Sequence, residues 1–156
     1  MIVTLETMER LRDEMPGTVV LAVGCFDLLH AGHIRHLKNA RELGDCLIVS
    51  LTSDEYVLKG PGRPVITEDD RAMMVDALKC VDFVYINSLP PPGLEQFDAV
   101  RPDIYVKGKE YRGNINPFLA EQIERVEVHG GKIVFTDTEE LHTTALIVEA
   151  MRELQS

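Results

Sequence analysis

Val19-Val20-Leu21-Ala22-Val23-Gly24-Cys25-Phe26-Asp27-Leu28-Leu29-His30-Ala31-Gly32-His33 is the stretch that decides how this chain folds. A short apolar, largely β-branched run is the pattern of a buried strand, and the residues after the turn change to helical spacing. Ile34, Leu37 and Ala40 recur at that spacing over residues 32–43, and Gly44 stops the pattern. A strand that runs directly into a helix places the helix start opposite the strand's carboxyl end. If the helix begins at Ala31 or Gly32, His30 and His33 share one face about a turn apart, beside backbone N–H groups that lack an intrahelical partner. Those donors and the positive end of the helix dipole attract phosphate. Gly32 has no side chain to keep a bulky anion away, and the two imidazoles add further donors.

Outward from this unit, apolar runs alternate with amphipathic stretches. Strands are expected at 18–23, 46–51, 82–86, 104–107 and 132–135, and helices at 5–15, 32–43, 67–78, 93–100, 117–128 and 144–154. Thr67 before Glu68-Asp69-Asp70 is a good helix cap, Gly130-Gly131 ends the helix before it, and Pro16-Gly17 separates the first helix from the first strand. Alternation of this kind predicts an α/β fold with a parallel sheet covered on both faces. The expected organisation is a single domain over residues 1–156, with 1–16 as an N-terminal helical extension. Two stretches fit no element: Lys59-Gly60-Pro61-Gly62-Arg63-Pro64, and the polar segment 108–116. In an open α/β sheet such segments lie over the carboxyl ends of the strands, where ligands bind.

The composition narrows the class. With 156 residues, 45% hydrophobic and 27% charged, the chain has the balance of a globular protein able to bury roughly two-thirds of its unfolded surface. No apolar run approaches a membrane span and residues 1–10 lack a secretory pattern, so a cytoplasmic location and no membrane partner are expected. A net charge of −10 argues against general nucleic-acid binding, which needs a basic face. Any anion site is then a local cluster of positive groups on an acidic body. Cys25, Cys46 and Cys80 have no CxxC spacing, and neither a disulfide framework nor a zinc site is expected. Cys46 and Cys80 read as small buried residues.

Other chemistries fit the histidine stretch less well. The glutamate of the HExxH zinc pattern is absent and no third ligand stands nearby. A dinucleotide site needs GxGxxG at the first turn, where this chain has Gly24-Cys25-Phe26-Asp27, although Asp54 lies near the expected acidic position. No Walker lysine motif occurs. His36 and His129 read as packed or solvated residues.

Gly24-Cys25-Phe26-Asp27-Leu28-Leu29-His30-Ala31-Gly32-His33 resembles the GxFDxxHxGH signature of the HxGH nucleotidyltransferases, the cytidylyltransferase-like superfamily. Leu58-Lys59-Gly60-Pro61-Gly62-Arg63-Pro64-Val65, Arg71, Pro102-Asp103-Ile104-Tyr105-Val106-Lys107-Gly108 and Tyr111 are similar to the adenylyltransferase domain of ADP-heptose synthases. His142-Thr143-Thr144-Ala145-Leu146-Ile147 stands where the superfamily has Ser-Thr-Thr-x-Ile, and the likeness extends over roughly residues 18 to 148. Two departures stand out: His142 replaces the serine, and Lys109-Glu110 replaces a common Gly-Asp. Glycerol-3-phosphate cytidylyltransferases share the histidine motif but not the Val-Lys-Gly match.

The resemblance implies a Rossmann-like, doubly wound five-stranded parallel sheet with helices on both faces. It also implies transfer of a nucleotide monophosphate from a nucleoside triphosphate to a phosphorylated sugar or polyol, with release of pyrophosphate. ATP and heptose 1-phosphate are the expected pair; CTP with glycerol 3-phosphate or another polyol phosphate is the alternative, and a non-catalytic nucleotide-binding module is a third reading. The catalytic set is expected to be His30, His33, Lys59 and Arg71, with the histidines on the triphosphate, Lys59 bridging the reacting phosphates, and Arg71 on the acceptor or pyrophosphate. Gly24, Cys25, Phe26, Gly32, Lys107, Gly108, Thr143 and Thr144 are the expected nucleotide-binding residues. Arg63 and Asp27 are the candidates for acceptor binding, Asp27 alternatively supporting the turn. Mg²⁺ is expected to enter with the triphosphate, with no protein-only metal site, and a homodimer is expected.

Overall fold

The central strand β1 (Val19–Gly24) is paired on both edges, which explains its unbroken apolar run: every position faces either a neighbouring strand or a covering helix. The computed structural model describes residues 1–138 and 143–156. β1 is joined in a parallel sheet by β2 (Cys46–Thr52), β3 (Phe83–Asn87), β4 (Ile104–Gly108) and β5 (Lys132–Thr136). Their spatial order is β3-β2-β1-β4-β5. Each expected strand is present, with ends displaced by a residue or so.

Alternation along β1 sends side chains to two separate cores. Val20 and Ala22 pack with Leu37 and Ala40 of α2 (Ala31–Glu42) and with Ala72 and Val75 of α3 (Glu68–Asp76). On the other face, Val19 and Leu21 pack with Met8 of α1 (Leu5–Arg12), Phe97 and Val100 of α4 (Glu95–Val100), and Leu119 and Val126 of α5 (Pro117–Val128). The last helix is α6 (Thr143–Glu153). The expected helices all occur. α1 ends at Arg12 rather than Met15, and α4 begins at Glu95 because Pro91, Pro92 and Gly93 occupy the turn before it. Short 3₁₀ turns at Asp54–Tyr56 and Lys109–Tyr111, which the apolar pattern does not announce, follow β2 and β4.

From β1 the chain builds outward to β2 and β3, then crosses back to lay β4 on the other side of β1. The strand order therefore reverses between β1 and β4, and the loops after these two strands diverge to opposite faces. Such a crevice at the carboxyl ends is where open α/β sheets bind ligands. No helix among the described residues is long and apolar enough to cross a membrane.

Gly131, between α5 and β5, shows how tightly the edge is packed: a Cβ there would lie 2.2 Å from the Pro102 carbonyl oxygen. Gly131→Ala is expected to lower stability by about 1–3 kcal/mol, since a backbone oxygen must move to admit the methyl. Gly113→Ala, which meets open space, is the control, expected to stay within about 0.5 kcal/mol in urea denaturation.

Candidate active site

The turn from β1 to α2 places Phe26 and Leu28 at φ 53° and 50°, in the left-handed region that side chains adopt only when the surroundings impose it. The turn is pinned by Asp27, whose buried carboxylate accepts hydrogen bonds from Val65 N–H (2.9 Å), Ile66 N–H (3.0 Å) and Arg63 Nε–H (2.8 Å). Burial alone raises the Asp27 pKa, but those donors outweigh it and hold the carboxyl below its ordinary range.

Beyond the turn, His30 and His33 start the helix with their own side chains. Gly32 N–H donates to His30 Nδ1 at 3.0 Å, and His30 N–H donates to His33 Nδ1 at 3.3 Å. This is a reciprocal cap made from two imidazoles. The expectation that the first-turn N–H groups stand ready for a ligand is corrected for Gly32, whose donor is already taken. What the arrangement offers instead is orientation. Because both Nδ1 atoms accept, each neutral ring carries its proton on Nε2, a donor suited to an anion. The rings stack with centroids 3.9 Å apart, and Phe26 meets His33 edge to face at 5.5 Å. Burial, then the positive charge of His30, Lys59 and His36, pushes the His33 pKa down to about 4. The imidazole is thus neutral near pH 7 until an anion arrives to favour the charged form.

These histidines line a cavity of about 290 Å³ at the crevice between β1 and β4. The cavity brings together nine residues singled out by sequence: Gly24, Cys25, Phe26, His30, Gly32, His33, Lys59, Lys107 and Gly108. Lys107 at the end of β4 holds its Nζ 4.8 Å from the Tyr111 ring centroid. A Cβ on Gly108 would lie 2.4 Å from the Glu110 carboxylate oxygens, so glycine admits Glu110 beside the strand end. Thr52, Tyr56, Val57 and Leu58 form the wall toward Lys59.

Three expectations are corrected. Arg71 does not reach the cavity. It is fully buried and donates to Cys25 O (2.7 Å), Thr52 O (2.9 Å), Ile66 O (2.9 Å) and Asp54 Oδ1 (2.7 Å), tying together the ends of β1 and β2 and the far root of the Lys59 loop. It is a positioning residue, because a guanidinium committed to those oxygens has no face for the acceptor or pyrophosphate. Asp27 is buried and not exposed to an acceptor, and has instead the turn-supporting role expected as its alternative. Arg63 lies sunk against it, with one terminal nitrogen buried and without a hydrogen-bond partner among the described residues, and does not line the cavity either. Thr143 and Thr144 open α6, but their side chains, like His142, lie outside the described residues.

Sequence reasoning missed His36, Tyr56, Glu110, Tyr111 and Thr138 among the cavity residues. His36 had a visible signal, since it follows His33 by three residues on the same helix. Glu110 and Tyr111 fall in the polar segment 108–116 that is expected over the strand ends, with no periodicity to single them out, and Tyr56 reaches the cavity through a 3₁₀ turn that the pattern does not announce. His129 lies elsewhere, bonded to Asp98 at 2.8 Å.

The sequence pattern of a cytidylyltransferase-like domain matches residues 21–151, spanning both β1 and α6. The chain belongs to the cytidylyltransferase-like family, a family of nucleotidyltransferases. Among curated proteins, the bifunctional protein HldE of Syntrophotalea carbinolica is 43% identical over 134 residues, covering 85% of this chain and 26% of that protein. The bifunctional protein HldE of Helicobacter pylori is 37% identical over 152 residues, covering 95% of this chain and 30% of its own length. The chain thus spans under a third of the length of these relatives. Among solved structures, a lipopolysaccharide core biosynthesis protein from Thermoplasma volcanium superposes with a TM-score of 0.67 at 29% identity, covering 80% of this chain and all of that one. A pantoate-beta-alanine ligase from Francisella tularensis, at TM-score 0.61 and 16% identity, shares the fold.

Two predictions follow from the buried groups. Asp27→Ala strands Arg63 and frees two backbone donors, so it is expected to cost about 3–5 kcal/mol in urea denaturation, whereas Asp27→Asn, retaining one acceptor oxygen, costs less. The second concerns acid. His33 and His36 titrate near 4 in the fold against an ordinary value of 6.5, so the unfolded chain takes up protons that the native state refuses. Thermal stability is expected to fall as pH drops from about 6.5 toward 4, and a nucleoside triphosphate is expected to restore most at the acid end, because it favours imidazolium at His33. Melting curves with and without nucleotide check both, with His33→Gln flattening the nucleotide effect.

Proposed function

We propose that this chain transfers a nucleotide monophosphate from ATP to a sugar 1-phosphate, most specifically a heptose 1-phosphate, releasing pyrophosphate. The observation that carries the reading is the pair of imidazoles whose Nδ1 atoms accept from the helix start, so that each neutral ring carries its proton on Nε2, in one cavity with Lys59 and Lys107. The match to HldE proteins and to a lipopolysaccharide core biosynthesis protein supports the choice of a sugar acceptor.

In this reaction an oxygen of the acceptor phosphate forms a bond to the α-phosphorus as the bond to the bridging oxygen breaks, and pyrophosphate leaves with that electron pair. A phosphate monoester has its second pKa at about 6, so the nucleophile is already ionised and no general base is required. The cavity's task is to hold two anions in line and to meet charge where it accumulates. His30 and His33 donate to the triphosphate, and Lys59, close enough to His33 to depress its pKa, sits beside the same phosphates. Lys107 borders the nucleoside end, with Thr143 and Thr144 expected at the terminal phosphates.

Glu110 is the cavity's carboxylate among the described residues, and no three His, Cys, Asp or Glu converge there as a metal site. That donor set fits Mg²⁺ only as a companion of the nucleotide, held by phosphate oxygens and water; it supplies charge neutralisation of the triphosphate. Association into a homodimer belongs to the same proposal and is checked by light scattering.

Pyrophosphate is expected when the protein, Mg²⁺, ATP and heptose 1-phosphate are combined. His30→Ala and His33→Ala are each expected to lower kcat/KM by about 100-fold or more, the scale for loss of a donor at a transition-state charge. Preference for CTP with glycerol 3-phosphate would replace the substrate assignment. Nucleotide binding without pyrophosphate from any pair would replace transfer by a non-catalytic binding role.

A further inference from the structure

His36 is a cavity residue that the phosphate chemistry above does not use. It lies six residues beyond His30 on α2, about 9 Å further along the helix axis at 1.5 Å per residue. That is the span of a nucleoside rather than of another phosphate. Its Nδ1 is 3.0 Å from Thr136 Oγ1, on the buried end of β5. Thr136 Oγ1 in turn donates to Lys107 O at 3.4 Å and lies 2.9 Å from Thr138 Oγ1. A hydroxyl has one proton. Lys107 O can only accept, and a Thr136 proton given to it leaves Oγ1 to accept from His36 Nδ1–H, the tautomer in which Nε2 is a bare acceptor. That tautomer is the opposite of the one that His30 and His33 take when their Nδ1 atoms accept. Nε2 of His36 has no protein partner among the described residues and is not sealed from solvent, and the residue lines the cavity with Lys107 and Thr138. Burial and the Lys107 cation keep the ring neutral, with its pKa pushed down to about 4.

We propose that His36 determines nucleobase specificity: its Nε2 accepts a hydrogen bond from the exocyclic amino group of the base, in a tautomer set by Thr136. The inference rests on the nucleotidyl-transfer reading but not on the choice between ATP and CTP, since both bases carry an amine. A carbonyl in the same position, as in inosine or uracil nucleotides, would bring two acceptors face to face. A site built to receive one polar group rejects the analogue that cannot supply it, because the bound base shuts water from the acceptor and leaves it unpaired.

The experiment compares ATP with ITP, and CTP with UTP, by kcat/KM for pyrophosphate release and separately by calorimetric nucleotide binding. The intact protein is expected to favour the amino member of its preferred pair by about 10-fold or more. His36→Phe retains a ring and is expected to reduce that preference to within about 3-fold, mainly through KM. Thr136→Val removes the acceptor for Nδ1–H, releases the other tautomer, and is expected to move the preference toward the carbonyl member. That second variant keeps the test available if His36→Phe does not fold. An amino preference unchanged in the variants, or a loss of affinity equal for both members of a pair, overturns the proposal. Loss of discrimination against deoxy-ATP in place of ITP also overturns it, since the partner would then be a ribose hydroxyl. If no pair yields pyrophosphate, the nucleotidyl-transfer reading fails on its own, while calorimetry still reports whether His36 selects the amine.

Discussion

The reciprocal hydrogen bonds between His30, His33 and the first turn of α2 are the constraint on which the site depends. A helix start must find partners for N–H groups that the helix itself cannot satisfy. Ser, Thr, Asp or Asn commonly provides one. Here two imidazoles do so, and the same contacts that begin the helix decide which ring nitrogen carries the proton. Fold and chemistry are therefore not separable at this point: the cap that stabilises α2 also puts the proton of each neutral ring on Nε2, in two residues that line the cavity. Burial among other cationic groups keeps His33 neutral until a polyanion arrives.

The surrounding structure serves to hold that helix start against the ends of β1 and β4. Arg71 binds oxygens from the end of β1, the end of β2 and the root of the Lys59 loop, and Asp27 grips the same root from the turn. A glycine-rich loop has little intrinsic preference for one geometry, so the place of Lys59 depends on these anchors. Charged residues buried in this way are costly unless every strong group is paired, which explains their commitment to structure when a sequence pattern suggests ligand binding.

Much of the fold was legible because its signals are local or periodic. β1 reads as buried from its continuous apolar run, α2 from the spacing of Ile34, Leu37 and Ala40, and the helix stops from glycine and proline. The histidine cluster was legible for the same reason, being contiguous in sequence. Arg71 was misread because a sequence cannot show whether a guanidinium faces a cavity or four protein oxygens. Glu110 and Tyr111 were placed near the site by their segment but not singled out, because a 3₁₀ turn, with no pattern of its own, carries them to the cavity. His36 was visible but undervalued; only its pairing with Thr136, a hundred residues away, separates it from an ordinary packed histidine.

By itself the sequence determined the parallel α/β architecture, the strand that feeds a phosphate-seeking helix, and membership in a nucleotidyltransferase family, since each rests on residues close together along the chain. The tertiary structure decided the strand order that opens a crevice between β1 and β4, the conversion of Arg71 into an anchor, and the hydrogen-bond partners of three histidines. The physical reason is one of range. Burial and hydrogen-bond partners are set by residues distant in sequence, and they decide whether a polar side chain binds a ligand or holds the protein together.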